Sequence, residues 1–276
     1  MYYKLLMSDT QFLLIDGSYY MFYRYFALLQ WWKHSHPDES LDEPVENLDF
    51  MERFKAVFIK KIPEIIKKLK LKNPIIIVGL DCPRKDIWRN EYFDKYKGHR
   101  GMDASFKGGP VFKKIHEEEY FRKAGVHMCL KHPHLEADDC LALTVRNIRN
   151  VVPDALISII TSDMDYLQLA DEKTKLFNLK YKDLTMNKNC FKNKEKDLFC
   201  KIVMGDKSDG IAPIFKKCGI KTASKCYEEP EFFKKKLENE PEAKTKLKNN
   251  TLLIDFKKIP QKYVDEFNSG NYTKKY

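Results

Sequence analysis

The run Ala155–Ile160 is apolar except for Ser158, and it is followed at once by Thr161-Ser162-Asp163-Met164-Asp165. An apolar segment without alternation suits a strand covered on both faces, which calls for helices on either side of a largely parallel sheet. Just upstream, Ala137, Leu141, Val145, Ile148 and Val152 recur close to the helical period, and Glu136, Asp138 and Asp139 open that helix. A helix N-terminus tolerates anions, and open α/β sheets bind ligands beyond the carboxyl ends of their strands. Either acidic motif alone is read equally well as a capped helix with a solvated turn. Together they favour a metal site of hard oxygen ligands.

The pattern recurs along the chain. Phe12–Ile15 is a short apolar strand ending in Asp16-Gly17-Ser18, and Ile75–Leu80, introduced by Pro74, ends in Asp81. Further strands are expected around Val126–Leu130 and over Lys175–Leu179. Helices are expected over Tyr19–Trp32, with most of its aromatics in the core, and over Phe50–Leu71, kinked at Pro63. Val111–Lys123 and the amphipathic Lys194–Met204 follow, and the Lys-rich remainder is helical with breaks at Pro230, Pro241 and Pro260. Parallel strands would gather Asp16, Asp81, Glu136, Asp138, Asp139, Asp163 and Asp165 on one sheet edge. Carboxylates so crowded repel and raise one another's pKa values, and divalent cations make the cluster tolerable. Carboxylate ligands without Cys or His favour Mg²⁺ or Mn²⁺. Two such ions can activate a water and stabilise the leaving oxygen in phosphodiester cleavage.

Lys and Arg number 50 against 40 Asp and Glu, a net charge of +10, and many of the acids fall in the clusters above. The rest of the surface is thus strongly basic, which favours nucleic acid as partner ahead of a membrane surface, against the plainer alternative of solubility charge. Arg84, Lys85, Arg89, Lys95, Lys97 and Arg100 alternate with Trp88, Tyr92, Phe93 and Tyr96. That mixture suits phosphate neutralisation with base stacking, or else an amphipathic helix with snorkelling lysines. The glycine-rich stretch from Gly98 to Pro110 is expected to be a mobile loop. Seven cysteines without a CxxC pair are read as reduced thiols, so an intracellular, cytoplasmic or viral protein within its host cell is expected, not a secreted one. His127, Cys129, His132 and His134 match no zinc spacing and are assigned to structure. No segment reaches the length of a membrane span and no signal peptide is evident.

The stretches FLLIDGSYYMFYR, IIIVGLDCP, WRNEYFDKYKGHR, LEADDCLA, TSDMDYLQL and GDKSDGIAPIFKKCGIKTA occur in this order over residues 12–225. In sequence and order they resemble the structure-specific 5′ nucleases: flap endonucleases, bacterial polymerase 5′-nuclease domains and phage 5′→3′ exonucleases of RNase H type. LLIDFKKIP adds a weaker likeness to the phage-type members. The resemblance implies an α/β fold with a mostly parallel central sheet flanked by helices, a PIN-like nuclease core over residues 1–185. It also implies a helical arch at about residues 95–125 and a C-terminal helix–three-turn–helix region, 186–276, lending Asp206 and Asp209 to the site.

Carried onto this chain, the family pattern gives Asp16, Asp81, Glu136 and Asp138 to a first metal and Asp163, Asp165 and Asp209 to a second. Asp139 and Asp206 become bridging or outer carboxylates. Lys97 and Arg100, one helical turn apart, match the basic pair at the base of the arch, and Arg89 matches a further phosphate contact. Phe22 or Tyr23, then Arg24, fit an aromatic and a basic residue that meet DNA near the first strand. Lys216, Lys217, Lys221 and Lys225 are positioned to bind duplex phosphates. Gly210 stands where the family motif ends in asparagine, and Lys217 replaces the first glycine of a hairpin that often holds K⁺. The implied activity is a two-Mg²⁺ 5′→3′ exonuclease or flap endonuclease, with Mn²⁺ able to substitute. A monomer acting on branched or nicked DNA and RNA–DNA primer junctions is expected, alongside replication proteins, in replication or repair. A PIN-type ribonuclease would usually be shorter and lack GDKSDGI, and a silent nucleic-acid-binding protein would have lost some of the acids.

Overall fold

The apolar runs assemble into one six-stranded sheet with the order β5-β4-β1-β2-β3-β6. The structure is a computed structural model that describes residues 10–98 and 106–276. Its strands are β1 (Gln11–Asp16), β2 (Ile75–Leu80), β3 (Met128–Lys131), β4 (Leu156–Ile160), β5 (Thr174–Phe177) and β6 (Thr273–Lys275). Every neighbouring pair is parallel except β3–β6. Central β1 shows why its sequence is apolar throughout. Phe12 and Leu14 enter the core on one face of the sheet, Leu13 and Ile15 the core on the other. Ile15 is in register with both Val78 and Ile160, so β1, β2 and β4 end side by side and deliver Asp16, Asp81 and Thr161 to one edge.

One face is covered by α1 (Gly17–Ser35), α2 (Leu48–Lys68), α3 (Gly108–Glu117) and α4 (Tyr120–Lys123). Asn47 caps α2 by accepting the Phe50 N–H at 2.8 Å, and Phe50, Phe54, Phe58, Ile62 and Ile65 form its buried stripe. The opposite face is covered by α5 (Ala137–Val151) and α10 (Gln261–Asn268). Beyond the sheet, α6 (Lys194–Met204), α7 (Ile220–Glu228), α8 (Pro230–Asn239) and α9 (Ala243–Ile254) close round a smaller core that contains Cys200, Val203, Ile214, Phe215 and Ala223. No helix among the described residues is long and apolar enough to cross a membrane. All seven cysteines are free thiols.

Several expectations are corrected. The helix expected over Val111–Lys123 breaks at Glu119, whose φ is 53°. In α1, Tyr20, Tyr25 and Trp32 are core, but Phe22, Phe26 and Trp31 are exposed on its outer side. The segment from Arg84 forms short 3₁₀ turns at Arg84–Asp86 and Trp88–Glu91, not an amphipathic helix, and Trp88 and Tyr96 are buried, so neither offers a face to a base. Residues 99–105, including Arg100 and part of the expected loop and arch, lie outside the described residues. From Phe256 onward the chain returns to the sheet. Phe256, Ile259, Tyr263, Val264 and Phe267 join the core beneath α5, and β6 pairs antiparallel with β3.

Close approach at one glycine sets the acidic edge. A Cβ on Gly79 would lie 2.7 Å from the Ala137 carbonyl oxygen and 2.8 Å from Leu141 Cγ, so the first turn of α5 rests directly on β2. Gly79→Ala is expected to lower unfolding free energy by about 1–3 kcal/mol through overpacking. Urea denaturation of the two proteins measures it, and an unchanged midpoint would show that α5 is free to shift.

Candidate active site

Each acid at the edge is fixed by the element that carries it. Asp16 caps α1 by accepting the Tyr19 N–H at 3.0 Å, and its other oxygen accepts Thr161 Oγ1 at 3.2 Å. Thr161 in turn accepts the Asp163 N–H at 3.1 Å, which ties the ends of β1 and β4 together. Asp81 accepts the Ala137 N–H at 2.7 Å and the Ser18 hydroxyl, fastening β2 to the N-termini of α5 and α1. Glu136 and Asp139 form a capping box on α5. Asp163 caps the 3₁₀ turn Met164–Leu169 through the Asp165 N–H, and Asp206 caps Lys207–Asp209 through Ser208. Carboxylate oxygens of Glu136, Asp138 and Asp139 lie within 4.8 Å of one another, and so do those of Asp165, Asp206 and Asp209. The second group thus takes in Asp206, expected from the sequence as a bridging or outer carboxylate.

Cations are threaded through these acids. Arg89 is only 2% exposed. Its two terminal nitrogens donate to the two oxygens of Asp139 at 2.8 Å each, one of them also reaches Glu136 at 3.0 Å, and Nε donates to the Leu253 carbonyl at 2.8 Å. Expected at a phosphate, Arg89 is instead spent on protein partners. Asp139, which also accepts Trp88 Nε1 at 2.9 Å, is likewise paired with Arg89. Lys97 stands in a turn with a left-handed φ of 52°, not on a helix, so the helical-turn spacing to Arg100 does not apply. Its N–H donates to the Asp209 carbonyl at 2.9 Å, and its ammonium pairs with Glu136 and lies 3.9 Å from Asp209. Tyr96 OH reaches Glu136 at 2.8 Å and Asp209 at 3.1 Å, bridging the two groups.

Sequence reasoning missed Lys201, which pairs with Asp165 and sits 2.7 Å from Asp206. The available signal was a lysine set between the buried Cys200 and Ile202 on the inner side of α6. Divalent ions are therefore not the sole relief for the acids, because Arg89, Lys97 and Lys201 already offset part of the charge.

That partial neutralisation sorts the carboxylates. Burial tends to raise Glu136, but Lys97 and then Arg89 outweigh it and hold its pKa below the usual range. Asp206 is likewise raised by burial, yet Lys201 draws it down to about 2. Asp16 has no such cation, and burial followed by repulsion from Asp81 pushes it up to about 7. Burial and then Asp163 push Asp165 up to about 7 despite Lys201. Burial and the neighbouring Asp139 and Glu136 raise Asp138 well above the ordinary value.

Among the residues expected to meet DNA, Phe22 is exposed, Tyr23 is half-buried and Arg24 is buried, its guanidinium 4.6 Å from the Tyr23 ring. Lys216, Lys217, Lys221 and Lys225 are all exposed, the first three around the start of α7 and Lys225 in its last turn. Lys217 has a left-handed φ of 52°, a conformation that costs a non-glycine residue about 1–2 kcal/mol. His127 and His132 accept backbone N–H groups of Ile76 and His134, which fits the structural part assigned to that run.

The family model described as 5′-3′ exonuclease, N-terminal resolvase-like domain, matches residues 11–196. No curated protein sequence matches the chain at a significant level. Among solved structures, a T5 protein co-crystallised with metal ions is similar at 16% identity and a TM-score of 0.63, over 94% of this chain and 97% of that one. T5 5′-exonuclease with bound zinc is similar at 18% identity and a TM-score of 0.61, over 94% and 97%. So is the bacteriophage T5 flap endonuclease in a pseudo-enzyme–product complex with DNA and metal ions, at 17% identity and a TM-score of 0.61, again over 94% and 97%. At these identities the likeness is one of fold.

The raised acids make a pH-dependent signature. A carboxylate whose folded pKa is about 7, against about 4 unfolded, favours folding fully below about pH 4 and loses that contribution as pH rises through about 7. With chelator present, Asp16→Asn should melt close to wild type near pH 4 and increasingly above it towards pH 7 and beyond. Scanning calorimetry across that window checks the sign, and a constant difference would remove Asp16 as the source.

Proposed function

Because the chain belongs to the 5′-3′ exonuclease family with the N-terminal resolvase-like domain, and is thus a nuclease that hydrolyses phosphodiesters, we propose that it is a metal-dependent 5′→3′ exonuclease and flap endonuclease. Its substrates are flaps, nicks and RNA-primer junctions in DNA. The observation that carries this reading is the excess of carboxylates over cations where β1, β2 and β4 end, with burial and neighbouring acids pushing Asp16 and Asp165 up to about 7. Oxygen donors alone, crowded and under-neutralised, fit Mg²⁺, with Mn²⁺ as substitute. Asp16, Asp81 and Asp138, with Glu136, would hold one ion, and Asp163, Asp165, Asp206 and Asp209 a second. When bound, such ions supply Lewis acidity and a water activated at neutral pH.

The protein's own side chains do the rest. Lys97 and Lys201 sit within the acidic edge with pKa values above the ordinary lysine value, because nearby carboxylates outweigh the effect of burial. Both therefore stay charged, and both can turn from a carboxylate to a phosphate oxygen as negative charge builds there. Lys216, Lys217 and Lys221 flank the N-terminus of α7 and Lys225 lies in its last turn, a basic surface suited to duplex phosphates. A K⁺ ion on the hairpin carbonyls would add to that grip. In this reading residues 1–185 form the nuclease core, and residues 186–276 hold the duplex and lend Lys201, Asp206 and Asp209 to the site, with the protein acting as a monomer beside replication proteins. The T5 flap endonuclease solved with DNA and metal ions has the same fold, which supports DNA as the substrate.

Two experiments test this. Single-turnover cleavage of 5′-labelled flap, nicked and RNA-primed duplexes should depend on Mg²⁺, and Lys97→Ala should cut about a hundredfold more slowly, roughly 3 kcal/mol, while binding DNA nearly normally. Wild-type protein inert on all three substrates would overturn the reading, and a Lys97→Ala protein within twofold of wild type would remove Lys97 from the reaction. Separately, Lys216→Ala with Lys217→Ala should weaken duplex binding and flatten its logarithmic salt dependence by about one unit per lost phosphate contact, with the saturated rate unchanged. Salt titrations of binding read this directly.

A further inference from the structure

A cavity of about 340 Å³ opens between the 3₁₀ turn Met164–Leu169 and α6. Met164, Leu167, Phe191, Leu198, Met204 and Ile220 give it an apolar wall. Asp165 and Lys201, an ion pair of the second acidic group, stand in the same wall, so the cavity adjoins the acidic edge directly. On its other side, Phe191 and Ile220 are shared with an open groove along α7 that Lys221, Ser224 and Lys225 line. Both walls are held in place. Gln168 staples the turn to the C-terminal segment, donating to the Ile254 carbonyl at 2.9 Å and accepting the Phe256 N–H at 3.1 Å. Phe256 packs edge-on against Tyr166 of the same turn at 6.2 Å. The Phe191 N–H donates to Asp197 at 2.9 Å, and the Lys196 ammonium lies 4.2 Å from the centre of the Phe191 ring. Ile220, the first residue of α7, is 39% exposed, an apolar side chain set beside lysines. Asn189 also lines the cavity, and its exposed amide has no hydrogen-bond partner among the described residues.

An apolar and aromatic cavity with one free amide suits a flat heterocycle with polar edges. The surrounding charge selects the molecule that brings one. Lys201 lies at the inner end and Lys221 at the outer, and a strand with phosphates at both would cross the mouth of the cavity. The nearby acids are engaged within the protein: Asp197 accepts the Phe191 N–H, Glu228 pairs with Lys196 and Glu229 with Lys225. We propose that this cavity is a nucleobase subsite, taking one unpaired base beside the scissile phosphate, with its face on Phe191 and its edge towards Asn189. A base inside a duplex cannot enter, so the subsite distinguishes a flap or frayed end from continuous duplex.

The proposal rests on the nuclease reading above, and its test uses binding without cleavage. Flap duplexes with a single abasic site, moved in turn through the nucleotides around the junction, are titrated in chelator. Wild type is compared with Leu198→Trp, whose indole fills the cavity. Loss of the base at one position should weaken wild-type binding about tenfold, the size of one base–aromatic contact. Leu198→Trp should bind the intact flap about tenfold more weakly than wild type and lose less than about twofold further at that position. 5-Iodouracil at the same position should photo-cross-link wild type at Phe191 or another cavity residue, identified by peptide mass spectrometry. The cross-link needs no variant, so it decides the matter even if Leu198→Trp does not fold. A cross-link elsewhere, or equal abasic losses in both proteins, would overturn the subsite and leave the nuclease reading intact. So would wild type indifferent to an abasic site at every position. Wild type that neither bound nor cut flap DNA would overturn both.

Discussion

The fork of Arg89 on Asp139 is the interaction on which the acidic edge depends. A guanidinium and a carboxylate both removed from water are costly unless their hydrogen bonds are complete. Here they are met by Asp139, Glu136 and the Leu253 carbonyl around Arg89, and by Trp88 on Asp139. The pair anchors the first turn of α5 from below. With Asp139 drawn inward, the opposite side of that turn presents Asp138 beside the ends of β1 and β2. The same segment then runs on to Tyr96 and Lys97, so the neutralising groups arrive on the chain that the fork has pinned.

From this anchor the carboxylates divide by what faces them. Glu136 and Asp206 each have a lysine and sit below their usual pKa values. Asp16 and Asp138 lie on the uncompensated side, and Asp165 remains raised although Lys201 touches it. An electrostatic gradient thus runs across a few residues, from acids satisfied within the protein to acids that would gain most from an external cation. Thr161 and Tyr96 act as neutral links across that divide, Thr161 between Asp16 and the Asp163 backbone, Tyr96 between Glu136 and Asp209.

Much of this was legible in the sequence because it depends on local pattern. Continuous apolar runs gave β1, β2 and β4, and acids directly after them could only lie at the strand ends. The Lys194–Met204 helix and its stop at Gly205 followed from periodicity and a glycine. What the sequence concealed depends on partners far along the chain. Arg89, Trp88 and Tyr96 have the composition of a DNA-facing segment, and only the depth of Asp139 and Glu136 reveals that they point inward. Lys201 resembles any surface lysine until Asp165 and Asp206 are brought beside it. Thr273–Lys275 is too short and too polar to be distinguished as a strand, and its position is set by β3, the edge it covers.

The link from Arg89 Nε to the Leu253 carbonyl joins residues 164 positions apart, and it bears on the order in which the molecule becomes itself. During synthesis the acids at the strand ends emerge long before the stretch that supplies this acceptor, the Phe256 that backs Tyr166, and the β6 strand that closes the sheet. Until that stretch is made, Arg89 lacks one of its partners and the turn bearing Asp165 lacks its staple. The acidic edge is therefore completed by residues made well after its own acids, and a chain that has not yet reached Leu253 carries the residues of the site without its geometry. For a protein whose chemistry would be directed at nucleic acid, late assembly amounts to a safeguard written into chain connectivity.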